Sequence, residues 1–301
     1  MSVLIVGSIA LDEVKTPLAS RSNLLGGSAS YAALSASFFQ PVHLVGIVGT
    51  DFPKSHIDTF RARNVDLEGL QIVEGATFRW SGEYHWDMNT RDTLSVALNV
   101  FENFTPTLPE TYRRSEIILL ANIAPALQAH VLDQAASPRF VIADTMDLWI
   151  HIAKPALLDL LKRVNMLILN DSEARELAEE ASLIRCGSKI RSMGPAYVAI
   201  KKGEHGCLLF GPQGIFSCPA YPLEDLVDPT GAGDTFAGGV AGYLASLKNG
   251  EVSFEAIRKA VVYGSVLASY NVESFSLERL KELVPKDIDS RFHIFQELSR
   301  I

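Results

Sequence analysis

The twelve residues DPTGAGDTFAGG, Asp228 to Gly239, decide how the rest of the chain reads. Glycines at 231 and 233 let backbone amides come close to an anion, yet a carboxylate, Asp234, stands beside them. Downstream, Phe236, Val240, Tyr243, Leu244 and Leu247 recur at helical spacing, with small Ala237, Gly238, Ala241 and Ala245 between them. The spacing predicts a helix with Gly231 to Asp234 at its N-terminus. Unpaired N–H groups and the positive end of the helix dipole make an anion site there without any basic side chain. Asp234 taken alone is only a favourable acid in a first helical turn. Beside an amide nest it is also the acceptor that an attacking hydroxyl needs, and phosphoryl transfer to an alcohol requires both parts.

Other nucleotide signatures are missing. Gly231-Ala-Gly233 begins a dinucleotide fingerprint, but Phe236 stands where its third glycine belongs, and no Gly-Lys pair occurs anywhere to make a P-loop. With 301 residues, 48% hydrophobic and 21% charged, the chain has the composition of a globular protein that buries a full core. A formal charge of -8 argues against nucleic-acid or anionic-membrane partners, so anions must be held by local devices. Cys186, Cys207 and Cys218 lack metal or disulfide spacing and are expected to be small core residues in a reducing compartment. The opening MSVLIVGSIAL reads as a first buried strand and not as a leader, and no apolar run is long enough to span a membrane. The expected location is the cytoplasm.

Apolar runs at Val3 to Val6, Leu44 to Val48, Ile117 to Leu120, Phe140 to Ala143, Met166 to Leu169 and Val198 to Ile200 alternate with helical stretches. Continuous apolar strands of this kind predict a mainly parallel sheet covered on both faces. Polar residues follow four of them: Asn122, Asp144, Asn170 with Asp171, and Lys201 with Lys202. Ligands of open α/β sheets bind beyond these strand ends, although any strand leaving a core also turns polar. Gln71 to Leu98 breaks the alternation, with Phe78, Trp80, Tyr84 and Trp86 around a Ser81-Gly82 turn signal that reads as an antiparallel hairpin. With the polar extended piece Glu13 to Asn23 it predicts a small β-sheet lid inserted from about 13–23 and 71–100 into a single domain of 1–301. A second hairpin turns at Gly211 to Gly214, and Pro285 separates two terminal helices.

DPTGAGDTFAGG resembles the C-terminal signature of the ribokinase-like (PfkB) carbohydrate kinases, and the resemblance extends over nearly the whole chain. LLGGSASYAALSA (Leu24 to Ala36) and HLVGIVGTDF (His43 to Phe52) resemble that family's N-terminal signature. The resemblance implies a three-layer α/β fold with a lid, and ATP as phosphoryl donor with Mg2+. By it, Asp234 is the catalytic base, and the amides of Gly231, Ala232, Gly233 and Asp234 form the anion hole. Asp12 binds acceptor hydroxyls, as a carboxylate can for two vicinal groups at once. Gly26 and Gly27 hinge the lid and border the acceptor. NDSE supplies Asn170 for the nucleotide and Glu173 for the metal, KKGEHG supplies Lys201, Gly203 and Gly206 for the nucleotide, and Asp228 lies by a monovalent cation such as K+.

Two departures bear on the acceptor. Tyr31 stands where many members carry an asparagine, and Asp144-Thr-Met-Asp-Leu-Trp149 replaces their Asp-x-Asn-x-Arg. Both residues 31 and 144 are expected at the acceptor site, and a tyrosine there can stack on a ring, so a nucleoside or cyclitol is as open as a simple sugar. A ligand-binding member without turnover and a vitamin-precursor kinase are the alternatives. Asp234 argues against the first, since a pure binder gains nothing from a carboxylate beside phosphate, and the two-segment lid against the second. The lid's aromatic face also suggests pairing of two subunits.

Overall fold

The computed structural model describes residues 2–247 and 252–300. The strands among them are β1 Val3–Val6, β2 Ala10–Lys15, β3 Ser20–Gly26, β4 Val42–Gly49, β5 Val65–Val73, β6 Phe78–Tyr84, β7 Arg91–Ala97, β8 Ile117–Leu120, β9 Phe140–Asp144, β10 Met166–Asn170, β11 Tyr197–Lys201, β12 Cys207–Gly211 and β13 Gly214–Cys218. The helices are α1 Ser28–Ala36, α2 Lys54–Ala62, α3 Pro125–Gln134, α4 Asp147–Ile152, α5 Lys154–Leu161, α6 Asp171–Ala178, α7 Leu183–Arg191, α8 Ala232–Ser246, α9 Phe254–Asn271, α10 Glu278–Glu282 and α11 Pro285–Leu298.

The large sheet runs in the order β13-β12-β11-β10-β9-β8-β1-β4-β5. It is parallel from β5 to β11 and closes with the antiparallel pair β12 and β13. β1 explains the layering: Val3 and Ile5 face the core shared with α1, α8 and α9, while Leu4 and Val6 face the core shared with α3, α5, α6 and α7. All four are fully buried, and each such side chain stabilises the fold by roughly 1.5–3 kcal/mol. The small residues of α8 serve close helix packing, since a Cβ on Gly238 would lie 2.2 Å from the Ala32 carbonyl oxygen and one on Gly242 2.7 Å from Ala36 Cα. This packing seats the N-terminus of α8 against α1 at the carboxyl end of the sheet. All three cysteines are free and buried, as expected from the sequence. No helix among the described residues is long and apolar enough to cross a membrane.

Four strands stand apart as a lid, in the order β3-β2-β6-β7. Its two halves join through a parallel pairing of β2 with β6, in which Asp12 lies beside Trp80. The expected hairpin forms from β6 and β7, but its turn lies at His85 to Thr90 and not at Ser81-Gly82. Those two residues sit inside β6, where the register with β7 shifts. A Cβ on Gly82 would come within 2.2 Å of the Trp80 indole, so the glycine makes room for a ring inside a bulged strand. The lid also begins later than Gln71, because Gln71, Ile72 and Val73 end β5 in the large sheet. The lid's first half is longer than Glu13 to Asn23 and takes in Ala10 through Gly26.

Candidate active site

The lid follows directly from the carboxyl end of β1, its turn approaches the turn after β11, and the N-terminus of α8 packs against Tyr31 of α1. Gly231 caps α8 with φ 73°, and a Cβ there would lie 2.3 Å from Cδ1 of Tyr31. Tyr31 is therefore a buried platform beneath the loop and not a ring open to a ligand. Burial, with Asp12 and Asp228 nearby, pushes its hydroxyl well above the usual tyrosine value. The Ala232 N–H turns back to the Pro229 carbonyl at 3.2 Å. Among the described residues no backbone acceptor takes the Gly233 or Asp234 N–H, so these two amides are left for a ligand.

Asp228 holds the loop in shape. Its carboxylate accepts the Thr230 N–H at 2.9 Å and the Ser276 N–H at 3.1 Å, stitching the loop before α8 to the loop after α9. The Asn271 amide donates to the Thr230 carbonyl at 2.8 Å and completes the seam. Each Asp228 oxygen thus already serves an amide, and only remaining lone pairs are left for a cation.

Asp12, on β2, sits against the bare α-carbon of Gly26, where a Cβ would meet its Oδ2 at 1.9 Å. Burial, then the charges of Asp228 and Asp234, push Asp12 up to about 8, partly offset by the Gly27 amide and by Arg91. Asp234 keeps some solvent access in the first turn of α8. Burial, then Asp144, push it up to about 7 against the pull of Lys201 and Arg91. Gly27 begins α1 with φ 88°, close under the Ser8 carbonyl. It is the joint between lid strand β3 and the large domain.

On the other side, Asn170 and Glu173 form a reciprocal cap of α6: the Asn170 side chain accepts the Glu173 N–H at 2.8 Å, and Glu173 Oε2 accepts the Asn170 N–H at 2.7 Å. Burial pushes Glu173 up to about 7, with Lys201 opposing and Asp144 adding to the rise. Lys201 Nζ lies 3.7 Å from Asp144 Oδ1. Asp144 is buried and accepts the Thr145 N–H. Gly203 and Gly206 both take positive φ in the turn after β11. The lid turn reaches this place too, since Asn89 Oδ1 is 3.2 Å from where a Gly203 Cβ would be.

Three groups escaped the sequence reading. Tyr84 of β6 is buried against Val14 and Phe275, with its hydroxyl 3.3 Å from the Thr230 hydroxyl. Arg91 of β7 lies over the Trp80 ring and acts electrostatically on Asp12 and Asp234. The Trp149 indole N–H donates to Asn122 Oδ1 at 2.8 Å, placing an aromatic ring at the ends of β8 and β9. An arginine in an exposed strand carries no sequence signal, whereas the alternation that exposed Trp80 and Tyr84 was visible. Asp12 packs on Gly26 and feels the charges of Asp228 and Asp234, while Lys201 lies against Gly233 and is tied electrostatically to Asp144, Glu173 and Asp234. Gly203 and Gly206 follow in the turn after β11.

Among the described residues no three or more His, Cys, Asp or Glu side chains gather as a metal cage. Magnesium keeps waters and takes one or two carboxylates with the phosphates it accompanies, so a single acid such as Glu173 has the chemistry it needs. The bond that Glu173 accepts in the α6 cap goes to Oε2.

The pfkB family carbohydrate kinase pattern matches residues 5–279. The cytidine kinase of Thermococcus kodakarensis is 28% identical over 264 residues, 86% of this chain and 92% of that one. The solved ribokinase of Giardia lamblia superposes with a TM-score of 0.80 at 16% identity, covering 98% of this chain and 99% of that one. The nucleoside kinase of Burkholderia thailandensis in complex with inosine gives 0.77 at 20% identity, covering 97% of each. Both superpositions include the large sheet and the lid.

Proposed function

Because the chain belongs to the pfkB family of carbohydrate kinases, phosphotransferases that act on hydroxyl groups, we propose that it moves the γ-phosphate of ATP to a hydroxyl of a nucleoside. Residues 1–301 act as one unit, with the lid closing over the acceptor. The observation that carries this reading is the placement of Asp234 in the first turn of α8, beside the two unengaged amides of Gly233 and Asp234 and near enough to Asp12 to act on its charge. In the reaction the acceptor oxygen attacks the γ-phosphorus as the bond to the β–γ bridging oxygen breaks. The acceptor proton passes to Asp234, and ADP leaves. The amides stabilise charge on the transferred group, which in a dry site contributes far more than in water. The Gly231 amide completes the hole, and the Ala232 amide joins it only by leaving Pro229.

Asp12 orients the acceptor through its hydroxyls, and Gly26 and Gly27 let the lid approach. Asn170, Gly203 and Gly206 border the nucleotide with Lys201. Mg2+, when bound, supplies positive charge to the phosphates, with Glu173 as its protein carboxylate. A monovalent cation such as K+ sits by the Asp228 seam. The Trp149 ring, pinned by Asn122 next to Ser28 at the start of α1, gives a planar wall for a base. It does for the acceptor what Tyr31, buried under Gly231, does not. The exposed lid edge, with Leu94 and Val96 on β7 and Leu98 just after it, pairs two chains. The protein works in the cytoplasm.

The test is ADP release from Mg·ATP with cytidine, inosine and ribose, for wild type and Asp234→Ala. Turnover with cytidine or inosine, lost by at least about a hundredfold in the variant, is the expected result. A variant as active as wild type removes Asp234 as base. Turnover on ribose alone removes the nucleoside.

A further inference from the structure

Lys201 is the last residue of β11, in register with Asn170. A Cβ built on Gly233 would lie 2.8 Å from its Nζ, so the ammonium rests on the bare α-carbon of the second residue of α8. A cation at a helix N-terminus opposes the helix dipole and is unfavourable by itself. Here it is held there by Asp144 at 3.7 Å, whose side chain is 5% exposed and whose own strand, β9, fixes it from beneath. An ammonium held against Gly233, beside the unengaged amides of Gly233 and Asp234, makes a site that an anion completes.

Resting on the phosphotransfer reading above, we infer that Lys201 is a catalytic residue that touches the oxygens of the transferred phosphoryl group, and that Asp144 is the positioning residue that holds it there. Asp144 is then not an acceptor contact. Its oxygen is turned to Thr145 and Lys201, and its backbone carbonyl accepts from Gln128 at 2.9 Å. Burial pulls the Lys201 ammonium down, but Asp144, Glu173 and Asp234 outweigh it and hold the lysine above its usual value. Lys201 is a fixed point charge, which stabilises a phosphoryl group spread over three oxygens without demanding the geometry of a bidentate clamp.

The experiment uses the full chain with Mg·ATP and cytidine, and also measures ATP and ADP binding by calorimetry. Lys201→Met should lower kcat about 100–1000-fold with the acceptor KM little changed. It should weaken ATP binding about tenfold more than ADP binding, because only ATP carries the group that Lys201 touches. Lys201→Arg should recover part of the ATP preference. Asp144→Asn should shift the ATP to ADP ratio in the same direction by a smaller factor. Since Lys201→Met leaves Asp144 buried without its cation, Asp144→Asn/Lys201→Met is the second variant, which should recover the melting temperature but not kcat. Recovery of both in the double variant means the pair is only structural and overturns the inference. So does an equal loss of ATP and ADP binding. Wild-type turnover separates the two readings: no ADP release with any of cytidine, inosine and ribose means the phosphotransfer reading fails, while the ATP to ADP binding ratio of Lys201→Met still decides whether Lys201 touches the terminal phosphate.

Discussion

The Tyr84 hydroxyl, carried by the lid, lies 3.3 Å from the Thr230 hydroxyl in the loop that opens α8. Lid position and anion loop are thereby joined through one buried hydrogen bond. Removing it with Tyr84→Phe should cost about 1 kcal/mol of stability. Because the bond ties the lid to the anion loop, kcat and KM should change together by a few-fold. Thr230→Val should act on the same bond. In a double-variant cycle the two effects should fall well short of additive, and full additivity would show that the contact does not couple lid to loop.

The two hinge glycines should fail differently. A Cβ on Gly27 meets backbone, the Ser8 carbonyl oxygen at 2.5 Å, at φ 88°. Gly27→Ala should therefore destabilise the fold by roughly 2–4 kcal/mol. A Cβ on Gly26 meets only the end of the Asp12 side chain. Gly26→Ala should keep most of the stability yet lower kcat/KM about 10–100-fold by displacing that carboxylate. Melting curves beside kinetics of the two variants check this, and equal melting temperatures would contradict it.

Asp234 must be ionised to accept a proton, and it is pushed up to about 7. The value of kcat/KM should rise with pH and level off above that point. Stability of the unliganded chain should move the other way. Asp12 is pushed up to about 8 in the folded chain, so the unfolded state gives up its proton first. The stability this carboxyl contributes at low pH is lost as pH rises from the usual carboxylate range through about 8. Asp12→Asn should match wild type in melting temperature near pH 4 and exceed it at pH 9, while losing acceptor turnover. A variant no more stable than wild type at pH 9 would contradict the burial of a strained charge.

The outer strand of the lid, β7, is exposed along its whole length. Leu94, Val96 and Leu98 are 57%, 55% and 43% exposed, and an edge strand with apolar side chains is a pairing surface. Leu94→Asp/Val96→Lys should convert a dimer to a monomer in sedimentation equilibrium. A wild-type chain already monomeric at tens of micromolar would remove the lid pairing.

The parts of the fold that were legible in the sequence are those whose environment is uniform. β1, β8, β9, β10 and β11 are buried on both faces, so their residues are apolar up to the polar ones at the carboxyl ends of β9, β10 and β11, and the runs stand out. β5 was not legible, because an edge strand mixes Asp66, Glu68 and Gln71 with its apolar residues and resembles lid sequence. The Ser81-Gly82 pair misled because glycine yields space to Trp80 as readily as it makes a turn. At the candidate site the loop Asp228 to Asp234 carried its own signal in glycines and acid. Tyr31 did not, since a tyrosine facing a ligand and one supporting a backbone are spelled alike. Lys201 was visible as a nucleotide-turn residue, but its distance from Gly233 depends on how β11 and α8 meet, which no local pattern encodes.

The parallel pairing of β2 with β6 constrains how the chain reaches its native state. Parallel neighbours cannot be joined by a tight turn, and here partners as remote in sequence as Ala10 and Phe78 must meet. The intervening segment contains α1, β4, α2 and β5. The lid therefore cannot nucleate as an autonomous hairpin on the growing chain, since its central seam waits on long loop closure. Excised from its surroundings, the lid would be two unconnected ribbons, so it is inherited or lost only together with the first third of the large sheet.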